Sequence, residues 1–181
     1  MSQTTRDLRE MVRAIPDYPK TGIVFRDVTT LFGDADGLAR TVDAIAGHAA
    51  GQGFDLVAGI DARGFILGGA LALKMGKGFV PIRKCGKLPA EVYREEYALE
   101  YGTDEVEIHR DAIPDGGATV LLVDDLIATG GTAIAAARLI QRAGGTVPLA
   151  AFAIDLPELG GARRLADIGV ATFAVMAFEG H

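Results

Sequence analysis

The stretch ATVLLVDDLIATGGTAIAAARLIQRAGG, residues 118–145, runs from an apolar segment through a polar turn into a segment rich in Ala and Leu. The apolar part, 118–123, is continuous and not alternating, which predicts a strand covered on both faces of a parallel sheet. DDLIATGG reads as the turn after it, and the Ala-rich segment as a helix. Within the turn, Ala128, Thr129, Gly130, Gly131 and Thr132 form an anion-binding loop. Two glycines let the backbone turn and approach a ligand without Cβ obstruction, and two threonines add hydroxyl donors. The helix that follows offers free N–H groups and the positive end of its dipole. The pattern is neither a Walker loop nor the dinucleotide fingerprint.

Asp124 and Asp125 stand immediately before this loop. A carboxylate about 4 Å from a phosphate costs roughly 1–4 kcal/mol of repulsion between water-like and surface-like dielectrics. A sugar phosphate removes the conflict. The loop takes the 5′-phosphate and the carboxylates accept from the ribose 2′- and 3′-hydroxyls, each charge-assisted bond contributing about 1.5–3 kcal/mol. The same charges stabilise a ribose carbon that becomes oxocarbenium-like. A bare Asp-Asp pair also serves to end a strand and cap a helix; the apolar run before it and Thr-Gly-Gly-Thr after it favour the sugar.

The strand, turn and helix grammar recurs. FDLVAGI (54–60) leads through DARG into FILGGALALKMG (65–76), and more weakly VPLAAFAI (147–154) leads into DLPELGGARRLADIG (155–169). Strands separated by helices of about three turns predict right-handed βαβ units, a doubly wound α/β fold with a parallel central sheet, and ligands beyond the strands' carboxyl ends. Two regions break the rhythm. AIPDYPKTGIVFRDVTTLF (14–32), with Pro16, Pro19 and Gly22, reads as a small N-terminal hood. YREEYALEYGTDEVEIH (93–109) alternates about Gly102-Thr103 and reads as an exposed hairpin, a candidate lid. A chain of 181 residues predicts one domain, 1–181, with the hood at about 1–35 and the lid at about 90–110.

Composition narrows the function classes. A net charge of −6 argues against general nucleic-acid affinity, which needs a basic face. No apolar run approaches the roughly 20 residues that span a bilayer, so no membrane partner is expected. The opening MSQTTRDLREMVRAI lacks an apolar signal core, and the lone Cys85 suits a reducing compartment; the cytoplasm is the expected location. His48, His109 and His181 have no metal or triad spacing and read as surface residues.

VLLVDDLIATGGT resembles the signature of the type I phosphoribosyltransferases. Within that family, DYPKTGIVFRD, AGIDARGF, PIRKCGKLPAEV and YALEYG are similar, in order, to the branch that acts on adenine. The resemblance implies the fold just described. It also implies the reaction: adenine and 5-phosphoribosyl 1-diphosphate give AMP and diphosphate with Mg²⁺, bound mainly through diphosphate and ribose oxygens, with no protein metal cage. A homodimer is implied as well. Asp61, Ala62, Arg63 and Gly64 would hold the diphosphate, with a cis peptide between Asp61 and Ala62. Arg83, Lys84 and Lys87 would stabilise the same leaving group, where concentrated cations favour bond breaking. Glu100 is the candidate acid/base near the purine and Tyr101 its screen. Val24, Phe25 and Arg26 form the candidate base reader, since one C=O and one N–H distinguish adenine from hypoxanthine. Core burial of Val24 and Phe25 is the alternative.

Ala62 stands where the family commonly has Ser, and Cys85 where it often has a basic or polar residue. The divergent DLPELGGARRL leaves no role assigned after Ile154. Two rivals stay open: the same chemistry on hypoxanthine, guanine or xanthine, and a non-catalytic regulator that binds phosphoribosyl diphosphate.

Overall fold

The computed structural model describes residues 6–98 and 102–180. An antiparallel ladder of β1 (Arg13–Pro16) and β2 (Val24–Asp27) stands apart from the main sheet and, among the described residues, leaves one edge of β2 without a strand neighbour. Asp27 fastens its end. The carboxylate accepts from Thr29 N (2.9 Å), Thr29 Oγ1 (2.7 Å) and Arg13 Nε (3.0 Å). The Thr29 hydroxyl, then the Arg13 guanidinium, holds its pKa down at about 2. A depressed carboxylate pKa adds stability above the ordinary value near 3.8, and this is lost as pH falls through 2. Asp27→Asn should therefore lower the melting temperature at pH 7 by several degrees, about 2–4 °C per kcal/mol in a domain this size. Thermal melts of the two proteins should converge between pH 4 and pH 2.

After the ladder come α1 (Thr29–Phe32), α2 (Ala35–Ala49), β3 (Leu56–Ile60), α3 (Gly64–Met75) and β4 (Gly78–Lys84). They are followed by β5 (Val92–Ala98), β6 (Thr103–His109), β7 (Thr119–Ile127), α4 (Gly131–Arg142), β8 (Thr146–Asp155), α5 (Gly161–Ala166) and β9 (Ala171–Ala177). The main sheet has the order β5-β6-β4-β3-β7-β8-β9. Its ladders from β4 to β9 are parallel, while β6 pairs antiparallel with β4 and with β5. The central strands are apolar throughout because both faces are covered. Val120 and Leu122 pack on the side of α4, and Leu121 and Val123 on the side of α2 and α3. Fully burying such a side chain contributes about 1.5–3 kcal/mol. The helix α2 falls outside the threefold rhythm; Asp34 caps it by accepting from Gly37 N, and Thr41, Val42, Ile45 and Ala49 form its buried stripe.

Two expectations need correction. Among the described residues the hairpin expected over 93–109 is present, since β5 and β6 pair antiparallel, but it is not exposed: its strands form the edge of the main sheet, and Tyr97, Val106 and Ile108 are buried with the α4 residues. The alternation reflects one face on the core and one on solvent, as an antiparallel edge allows. The third helix, α5, is also short, only six residues.

Candidate active site

The carboxyl ends of β3 and β7 open on a cleft of about 350 Å³, lined by Asp61, Ala62, Arg63, Lys84, Asp124, Asp125 and the loop of Ala128, Thr129, Gly130, Gly131 and Thr132. Gly130, at φ 81°, is the N-cap of α4. It takes the left-handed turn that residues with a Cβ resist, bringing the loop onto the helix's unpartnered first N–H groups. The loop is braced from behind by a segment to which sequence reasoning gave no role. Gly161 N donates to Ala128 O at 3.0 Å and Arg164 Nη1 donates to Thr129 O at 2.8 Å. A Cβ on Gly161 would lie 2.7 Å from Ile127 Cγ1 and 2.8 Å from Gly130 N, so only glycine admits this approach. The Gly160-Gly161 pair was the available signal.

The two carboxylates sit differently from the expected turn. The strand does not end at Val123. The ladder with β8 continues through Asp124↔Phe152, Leu126↔Ile154 and Ile127↔Asp155, because Leu126 and Ile127 are apolar enough to extend it. Both aspartates are therefore held by strand backbone. The Asp125 side chain is buried and accepts from Arg63 Nε. Asp124 Oδ1 accepts from Asp125 N at 2.9 Å and lies where a Cβ on Gly64 would be 2.9 Å away. Burial, then the neighbouring Asp125 charge, pushes the Asp124 pKa well above the ordinary carboxylate range. The Arg63 pKa is raised as well: burial opposes its charge, but Asp125, then Asp124 and Asp27, hold it more firmly protonated than usual.

The other cations are also paired. Arg83 Nε donates to Asp61 Oδ2 at 3.0 Å, and Lys84 Nζ donates to Asp104 and to the Tyr97 hydroxyl. The Asp61–Ala62 peptide bond is cis. Lys87 follows β4 on a loop fixed by Glu107, which sequence reasoning missed. Glu107 is buried and accepts from Lys87 N (2.8 Å) and Leu88 N (2.9 Å). Burial opposes its charge, yet the amides of Leu88, Gly86 and Lys87 keep its pKa below the usual value. An acid in a polar alternation gave no hint of this. Cys85 is exposed.

Val24, Phe25 and Arg26 do not line the cleft. They are half-buried on β2, where Phe25 meets Tyr18 edge-on at 5.3 Å. Arg26 lies 4.5 Å from the centre of the Phe178 ring and donates to Gly180 O at 3.4 Å. Glu100, Tyr101 and His181 lie outside the described residues. His48 is exposed and stacked on Phe173. His109, expected on the surface, is half-buried as the last residue of β6, with Nε2 shielded from solvent. Among the described residues no group of three or more His, Cys, Asp or Glu is placed to hold a metal, and no helix is long and apolar enough to cross a membrane.

The sequence model of the phosphoribosyl transferase domain matches residues 34–162, the span that carries the loop, both aspartates and the paired cations. The chain belongs to the phosphoribosyltransferase family. It is 60% identical over 174 residues to the adenine phosphoribosyltransferase of Methylobacterium radiotolerans, covering 96% of each, and 57% identical over 176 residues to that of Parvibaculum lavamentivorans, covering 97% of this chain and 99% of the relative. This phosphoribosyltransferase superposes on the crystal structure of adenine phosphoribosyltransferase from Thermoanaerobacter pseudethanolicus with a TM-score of 0.89 at 46% identity, covering 94% of this chain and 98% of that one. It superposes on the Saccharomyces cerevisiae adenine phosphoribosyltransferase, complexed with an imino-altritol bisphosphate and adenine, with a TM-score of 0.87 at 35% identity, covering 93% and 96%.

Proposed function

We propose that this phosphoribosyltransferase transfers the 5-phosphoribosyl group of 5-phosphoribosyl 1-diphosphate to adenine, giving AMP and diphosphate. The observation that carries the reading is the juxtaposition, at one strand end, of the loop at the N-terminus of α4 with Asp124, Asp125 and Arg63. The loop from Ala128 to Thr132 binds the 5′-phosphate through main-chain N–H groups and threonine hydroxyls. Asp124 and Asp125 accept from the ribose hydroxyls and stabilise positive charge at C1 as the bond to diphosphate breaks. Arg63, Arg83, Lys84 and Lys87, with the backbone of Asp61, Ala62 and Gly64, take the departing diphosphate.

Asp124 and Asp125 are given to the ribose, and Asp125 is engaged by Arg63, so an Mg²⁺ ion would be held mainly by diphosphate and ribose oxygens and water. That ion, when bound, neutralises diphosphate charge. Glu100 exchanges the purine proton and Tyr101 screens the reacting carbon from water. Val24, Phe25 and Arg26 read the base from the edge of β2 away from β1, with Phe25 beside the ring. In this reading the chain is one domain, with its hood at about 1–35 and its lid at about 90–110. The protein works as a cytoplasmic homodimer, without nucleic-acid or membrane partners. Exposed Ile66 and Leu73, seven residues apart on α3, together with Phe79, support an apolar face for the second subunit.

The test is a nucleotide-formation assay with 5-phosphoribosyl 1-diphosphate, Mg²⁺ and each purine in turn. AMP formation at least 100-fold more efficient than IMP, GMP or XMP formation is expected, since a mispaired buried edge discriminates by up to about 10⁴. Comparable turnover of hypoxanthine would defeat the adenine assignment, and no turnover of any base would defeat the enzyme.

A further inference from the structure

Three cations near the cleft are each tied to an acid, but not in equivalent ways. Asp125, which holds Arg63, and Asp61, which holds Arg83, both line the cleft, so a bound substrate can reach these acids directly. Lys84 lines the cleft while its acid, Asp104, does not. A ligand that takes the Lys84 ammonium in the cleft therefore draws it away from Asp104.

The arrangement holding Lys84 is itself fixed. Tyr97 and Asp104 face one another across the β5–β6 ladder. The Tyr97 hydroxyl donates to Asp104 Oδ2 at 2.9 Å and accepts from Lys84 Nζ. Asp104 Oδ1 accepts from Glu105 N at 2.8 Å, and Tyr97 is buried. An ammonium group has three donors, of which this pair occupies two. Burial opposes the Lys84 charge, but the bond it donates to Asp104, then that to Tyr97, keeps it firmly protonated.

We propose that Asp104 and Tyr97 are positioning residues that compete with diphosphate for the Lys84 ammonium, weakening the grip on the leaving group so that product diphosphate is released. The inference rests on the phosphoribosyl reading above. It places a determinant of product release outside the cleft, on the two edge strands beyond β4.

The test is calorimetric titration of the full chain with inorganic diphosphate in excess Mg²⁺, beside steady-state inhibition by the same anion. Asp104→Asn preserves shape and the acceptor for Glu105 N. It should tighten diphosphate binding about two- to fivefold, the range of a partly exposed ion pair, and lower the inhibition constant by the same factor while KM for the base stays constant. Asp104→Glu should restore wild-type affinity. Tyr97→Phe should shift affinity the same way by less, giving a second route if Asp104→Asn folds poorly. Lys84→Met should weaken binding and abolish the effect of Asp104→Asn. A purely structural role predicts weaker binding and no such coupling. Unchanged or weaker binding in Asp104→Asn and Tyr97→Phe, or an equal gain in the Lys84→Met background, overturns the proposal while wild-type binding leaves the phosphoribosyl reading intact. Wild-type protein that does not bind diphosphate overturns both.

Discussion

Asparagine at both 124 and 125 is expected to lower kcat/KM for AMP formation by about 10²- to 10⁴-fold while the protein stays folded. The magnitude follows from two charge-assisted hydrogen bonds to ribose, each contributing about 1.5–3 kcal/mol, with some of that gain made only as positive charge develops at C1. Retention of the fold rests in part on the state of Asp124. Its pKa is raised by burial and by Asp125, so the folded chain binds this proton more tightly than the unfolded chain does. Stability from this group is therefore greatest at low pH and declines as pH rises from the ordinary carboxylate value towards the raised one. Asp124→Asn alone should thus leave the melting temperature at pH 7 equal or higher while reducing activity. Asp125→Asn alone deprives Arg63 of its partner and should reduce both. Assays and thermal melts of the two single variants and the double variant check this; more than a tenth of wild-type kcat/KM in the double variant would contradict the ribose assignment.

The second large effect is expected from Gly161→Ala, a change far along the chain from the phosphate loop. The added methyl has no backbone strain to overcome, since Gly161 does not occupy the left-handed region, but it meets Ala128 O, Ile127 Cγ1 and Gly130 N. All three belong to the loop or the strand residue leading into it, and two are backbone atoms that cannot rotate away. The loop must move, and a displacement of about 1 Å at a substrate-positioning element costs on the order of 10²-fold in rate. KM for 5-phosphoribosyl 1-diphosphate should rise and kcat/KM should fall by about that factor. Gly160→Ala is the control. Gly160 sits at φ 74° with nothing within 4 Å of its Cβ position, so its substitution should lower the melting temperature and leave KM nearly unchanged. Equal KM values for the two variants would remove the bracing role.

These two sites show what a sequence makes visible and what it hides. The loop of Ala128 to Thr132 and the turn of Asp61 to Gly64 are contiguous, and their chemistry follows from residue type and from the strand and helix on either side. The parallel arrangement of β3, β7 and β8 was legible for the same reason: their apolar runs have no solvent face. The contacts that hold these parts in place join residues distant in sequence. Gly161 and Arg164 reach back to Ala128 and Thr129, Glu107 reaches back to Lys87 and Leu88, and Lys84 reaches forward to Tyr97 and Asp104. Each of these residues, taken alone, looks like a turn glycine or a solvated charge. The continuation of β7 through Asp124 was hidden in another way, because two adjacent acids suggest the end of a strand until β8 is seen to pair beyond them.

The stacking of Arg26 on Phe178, with its bond to Gly180, joins two parts of the chain that both fall outside the matched span of 34–162. On the proposed reading, the grip on the sugar is encoded in the middle of the polypeptide, and the choice of nucleobase in a clasp between its flanks.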